Sequence, residues 1–216
     1  MFKSFGKYGV IIVTTALFLV LVLSVLGLNF YMSFQVESNA EAVNVAGRQR
    51  MLSQRISKSL LDTQAQFNSG ASIESSLNEL KSATDLFNRT INAFRLGGEI
   101  TGTNGDTSFL AKASSEQAQK IIAEANTIWQ PFHKDISDTI TALEQNSPNS
   151  LFLLKNNTDF ARSNINTLLS LMNDLTNEQE SNANSAASQS RLIQAFGIII
   201  ALLCFIIIMY LSLIHI

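Results

Sequence analysis

Four cations fall within thirteen residues of a chain that is otherwise sparing with charge. The segment 46–58 reads AGRQRMLSQRISK and holds Arg48, Arg50, Arg55 and Lys58 with no acidic residue among them. The whole chain of 216 residues is formally −2 at pH 7, with 15% charged residues. Arginine presents a planar fork of donors that matches planar and tetrahedral oxyanions, and it does not deprotonate in proteins. Clustered arginines therefore point to an anion site or to structural ion pairs. No other chemistry is signalled: HExxH, P-loop, GxSxG and CxxC patterns are all missing from the sequence. His133 has no metal-spaced partner and reads as a packing or surface residue, and Cys204 reads as a small apolar residue inside an uncharged run. Neither an enzyme, nor a metal site, nor a cofactor is expected. Four cations on one helix make only a local patch on a domain that is not basic overall, so no nucleic-acid partner is expected.

Two uncharged runs frame the segment. Residues 8–28 (YGVIIVTTALFLVLVLSVLGL) are about as long as a bilayer-spanning helix requires, roughly 20 residues, and residues 193–210 (IQAFGIIIALLCFIIIMY) form a second such run after Arg191. Lys3 and Lys7 precede the first run without neighbouring acids, so the positive-inside bias makes residues 1–7 cytoplasmic. Residues 29–190 then lie on the other side, the periplasm of a Gram-negative cell, as one domain of an integral inner-membrane protein. Cys204 is the single cysteine, so this outer domain is held without disulfides. The terminal LSLIHI, residues 211–216, reads like a translated sequencing adapter on a truncated frame, in which His215 would carry no meaning.

The outer domain reads as helical. Ile73, Leu77, Leu80, Thr84, Phe87, Ile91 and Phe94 alternate steps of four and three, as do Leu151, Leu154, Thr158, Ala161, Ile165, Leu168, Met172 and Leu175. A looser stripe runs through Leu110, Gln117, Ile121, Ala125, Ile128, Phe132, Ile136, Thr139 and Leu143. Asn68-Ser69-Gly70 should close the first helix, with Gly70 left-handed. Gly97 to Gly105 should be a loop, Asp106 or Thr107 the next N-cap, and Ser147-Pro148 the start of the last helix. Pro131 should kink the third helix, and Trp129 reads as a core or dimer-interface aromatic. The 180–190 stretch is linker-like in composition and is expected to be a weakly packed helix. The fold class is all-α: a membrane-anchored antiparallel four-helix bundle between two transmembrane helices.

On a helical wheel, Arg50 shares a face with Val36, Val43, Ala46, Gly47, Ser53 and Ser57, most of them small or apolar. Arg50 is therefore expected to point inward, toward the bundle or toward a partner subunit. Arg48 and Arg55 share another face with Glu41 and Asp62 and are expected to be solvated or salt-bridged. A buried guanidinium needs a partner. Asp159 and Asp174 are the candidates for an ion pair. Alternatively, two copies of Arg50 meet at a dimer axis, repel each other, and are bridged by one small anion.

The segment AVNVAGRQRMLSQRISK resembles the signature of the type IV pili methyl-accepting chemotaxis transducer N-terminal domain. Asn44, Ala46, Gly47, Arg50, Met51, Ser53 and Arg55 carry the resemblance. The pattern is also similar to the sensor segment of nitrate/nitrite sensor kinases. That resemblance implies a helical bundle over about residues 30–190 and a homodimer. It also implies nitrate or nitrite bound at the interface by Arg50, with Gly47 permitting close approach. Arg55 and Ser53 complete the candidate ligand set. Arg48 and Gln49 stand where the nitrate sensors carry small or apolar residues, which favours the chemotaxis branch. The expected function is the sensory input half of a transmembrane receptor whose output module lies beyond the second span. The alternative is a periplasmic protein-interaction module with no small-molecule ligand.

Overall fold

The computed structural model describes residues 9–102 and 104–214. The placement expected for residues 1–7, and His215, lie outside the described residues. The elements are α1 (Gly9–Ser69), α2 (Glu74–Leu96), β1 (Gly98–Thr101), β2 (Thr107–Leu110), α3 (Glu116–Glu144) and α4 (Ser150–Ile214). Two compact units emerge, one of residues 1–37 with 183–216 and one of residues 38–182.

The first unit contains the apolar parts of α1 and α4, both long and apolar enough to cross a membrane. Most of their described side chains are exposed, except those such as Phe18, Val25 and Met32 that are half-buried or buried. The two helices pack antiparallel. The Phe18 and Phe205 rings lie 6.2 Å apart, a Cβ on Gly197 would sit 3.4 Å from Val25, and Gln194 Nε2 donates to Asn29 Oδ1 at 2.7 Å. Gly197 lets the backbones approach, and the Asn29–Gln194 bond ties the two helices through their side-chain amides.

The second unit is the bundle. Leu52, Ile56, Leu60, Leu80, Phe87, Ile91, Ile122, Ile136, Leu154 and Leu168 are fully buried in one core drawn from all four helices. Trp129 lies at its centre with the Phe87 ring 4.2 Å away and Phe132 edge-on at 6.1 Å, and its indole N–H donates to Asn88 at 3.1 Å. The seams expected on α2 and α4 are the buried ones, apart from half-buried Ile73 and Ile165 and exposed Leu151. Tight αα turns set the antiparallel course. Gly70 takes φ 71°, with Gly70 N donating to Phe67 O and Ala71 N to Gln66 O. That is the double bond of a Schellman cap. Asn146 does the same for α3, at φ 50°, with Asn146 N on Leu143 O and Ser147 N on Ala142 O.

Four expectations need correction. The glycine-rich stretch is not a loop but part of an antiparallel hairpin that pairs Gly98 with Leu110 and Thr101 with Thr107. Ile100 and Leu110 are buried beneath it, so burial of alternate residues outweighed the glycine signal. Leu110 accordingly belongs to a strand, Gln117 is exposed, and the α3 seam begins at Ala118. The N-cap of α3 is Ser115, whose hydroxyl accepts from Ala118 N, not Asp106 or Thr107. α4 starts at Ser150, whose N–H bonds Ser147 O, two residues after Pro148. The fourth correction concerns the face of α1 and is taken up with the site. α3 continues through Pro131, and residues 180–190 are helical with no buried side chain.

Candidate functional site

Within the bundle, α1 buries three adjacent heptad rows: Val45, Leu52 and Ser59; Ala46, Ser53 and Leu60; Gln49, Ile56 and Thr63. The row expected to face inward, Val43, Arg50 and Ser57, is half-buried or exposed, and Arg50 itself is exposed. Both faces carry small and polar residues, so the pattern alone is ambiguous. The buried side is decided by α2, where Gln49 Nε2 finds the Phe87 carbonyl at 2.9 Å. The polar Gln49 is thus part of the core, fully buried with its amide N–H bonded to α2.

The four cations of the segment meet four different environments. Arg55 Nε pairs with Glu79 at 2.7 Å, as expected of a salt-bridged residue, and Lys58 lies 3.4 Å from Asp62. Arg48 is half-buried rather than solvated. Its Nη1 donates to Gly102 O at 2.9 Å and its Nη2 to Thr101 O, so it clamps the hairpin tip onto α1. Burial pushes its pKa down, and Glu41 nearby raises it. A Cβ on Gly102 would stand 3.0 Å from Glu41 Oε1 and from Asn104 Oδ1, so a larger residue there would press on both side chains. Glu41, Arg48 and Arg55 share the face expected for them, but the hairpin that Arg48 holds left no mark in the local sequence.

Arg50 differs from the other three. Its Nη1 donates to Asn173 Oδ1 of α4 at 3.1 Å, a neutral partner. Neither expected carboxylate reaches it. Asp159 is engaged by Lys155 and Arg162, and Asp174 is exposed with no ion pair among the described residues. The inward ion pair is therefore overturned: Arg50 lies on the outer surface of the chain beside Gly47. A Cβ on Gly47 would meet nothing within 4 Å, so none of the described residues requires a glycine there. Ser53 is fully buried and donates back to Arg50 O at 2.8 Å. The four candidate ligand residues do not converge within the chain. Gly47 and Arg50 share the open face, Ser53 turns into the core, and Arg55 turns to α2. The described residues hold no cluster of metal-ligating side chains.

These features define a class: a helical bundle flanked by two membrane-length apolar helices, with a cationic outer face on its first helix. The family model for the type IV pili methyl-accepting chemotaxis transducer N-terminus (PilJ) matches residues 31–160, and the chain belongs to that family. The family is the sensory N-terminal part of chemotaxis transducers, and the two apolar helices fit an integral membrane protein. Nothing matches the chain among curated proteins or among solved structures.

Proposed function

We propose that the chain is the sensory input half of a transmembrane chemoreceptor. In this reading residues 8–28 and 193–210 span the bacterial inner membrane, and residues 29–190 form a periplasmic bundle. Two copies pair across the open face of α1, where Gly47 allows close approach. A small oxyanion such as nitrate or nitrite is then held between two Arg50 side chains. The observation that carries it is Arg50 itself, an exposed arginine whose only side-chain partner among the described residues is the neutral amide oxygen of Asn173. Two such guanidinium groups facing each other repel, and one anion between them reverses the sign of the interaction. The anion therefore has a higher affinity for the paired arrangement, which is what a switch requires. Displacement of α4 relative to α1 would pass the change to the second span.

The test is calorimetric titration of the full chain in detergent with nitrate, nitrite and chloride, beside Arg50→Ala. Saturable nitrate binding that strengthens dimerisation and disappears in Arg50→Ala is the expected result. A folded wild-type chain that binds none of the anions would refute the anion reading and leave a protein partner.

A further inference from the structure

A cleft of about 600 Å³ lies between α2 and α3 within the bundle. α2 lines it with Asn78, Ser82 and Thr84, and α3 with His133, Ser137 and Ile140. Three charged side chains in the lining are all paired inside the protein. Lys81 bonds Glu144 across the two helices, and Arg89 holds Asp85 through Nε at 3.2 Å and Nη2 at 2.5 Å. Burial pushes the His133 pKa down while Asp85 raises it in part. Its ring is therefore largely neutral at neutral pH, with one nitrogen donating and the other accepting. The cleft thus offers hydroxyls, an amide and an imidazole without an unmatched charge.

Thr84 is the side chain that points to an occupant. A helical threonine ordinarily spends its hydroxyl on the carbonyl four residues back. Thr63, Thr139, Thr141, Thr158 and Thr176 all do so, at 2.7–2.9 Å. Thr84 does not: its Oγ1 is buried and has no hydrogen-bond partner among the described residues. The residue is only 4% exposed, so bulk water does not satisfy the hydroxyl either. A buried hydroxyl without a partner is costly, and a hydrogen-bonding group seated at the floor of the cleft would remove that cost.

We propose that this cleft binds a small neutral polyhydroxylated molecule such as a monosaccharide. Thr84 bonds it at the floor, and Asn78, Ser82, Ser137 and His133 bond it from the walls. Ile140 receives the ring carbons. The volume falls in the range of about 300–1,000 Å³ typical of small-molecule sites. A charged ligand is disfavoured, because it would have to break the Lys81–Glu144 or Asp85–Arg89 pair to find its counter-charge. The site shares no residue with the Arg50 face and goes beyond the anion reading.

The probe is D-glucose, titrated into the full chain in phosphatidylcholine nanodiscs free of sugar detergents and followed by saturation-transfer NMR. Saturable binding at millimolar glucose is expected. Thr84→Val keeps the shape and removes the hydroxyl, and it should weaken glucose about five- to tenfold through one lost hydrogen bond. Its melting temperature should hold or rise, since the hydroxyl bonds nothing in the protein. A purely structural Thr84 would leave glucose binding unmoved. Ser137→Ala, at an exposed position, should weaken binding about two- to fivefold and keeps the test decisive if Thr84→Val fails to fold. Glycine and sodium glutamate serve as charged comparators and should not displace glucose. The proposal is overturned by the absence of saturable binding up to about 100 mM glucose, by binding that both substitutions leave intact, or by displacement of glucose by either charged comparator.

Discussion

Arg48→Met removes the clamp on the hairpin and keeps most of the aliphatic stem. Two donor bonds disappear, to Gly102 O and Thr101 O. A hydrogen bond from a charged group is worth about 1.5–3 kcal/mol when sheltered. Arg48 is only half-buried, and solvent screening reduces each bond to about 1 kcal/mol. The hairpin should then open about 2 kcal/mol more easily, which is about 30-fold in the opening equilibrium. Because this is local opening, amide hydrogen exchange read by mass spectrometry on peptides covering residues 98–110 is the suitable assay. Exchange there should accelerate about 30-fold, while α3 amides stay unchanged. Arg55→Met serves as the control. It breaks only the partly exposed pair with Glu79 and should leave the hairpin alone. A rise below about threefold, or about 0.7 kcal/mol, would refute the view that Arg48 holds the tip.

Two further outcomes follow from the core. Trp129→Ala empties a fully buried site and removes the tilted ring contact with Phe87, so the bundle should lose about 3–5 kcal/mol in denaturant titrations followed by circular dichroism; a loss below about 1 kcal/mol would contradict its central place. His133 packs against Trp129 at 5.6 Å, and burial lowers its pKa from 6.5 while Asp85 raises it in part. Its contribution to stability is therefore fully present above pH 6.5 and falls away as the pH drops through 6.5 and then the depressed folded value. His133→Gln should flatten the dependence of melting temperature on pH in that window, and an unchanged profile would show that another group governs it.

Much of the fold is legible in the sequence because helical periodicity is a local property. The α2 and α4 seams, the Gly70 turn and the two apolar runs each need only residues within a few turns of one another. The hairpin was not legible. Its strands are four residues each, too short for alternation to outweigh the glycines around them. The face of α1 was misread for a related reason. Val43, Gly47 and Arg50 make as good an apolar-and-small stripe as Val45, Gln49 and Leu52, and the choice between them rests on the Phe87 carbonyl 38 residues away.

The candidate site divides along the same line. Sequence by itself identified the segment 46–58, the cation cluster, the family signature and the membrane-length flanks, because residue type and spacing encode them directly. Which arginine is paired, which clamps a hairpin and which stands open are settled by Glu79, by the carbonyls of Thr101 and Gly102, and by Asn173. Periodicity reports which residues share a face of one helix. The neighbour that face meets, and the charges left without a partner, are properties of chain segments brought together only by folding.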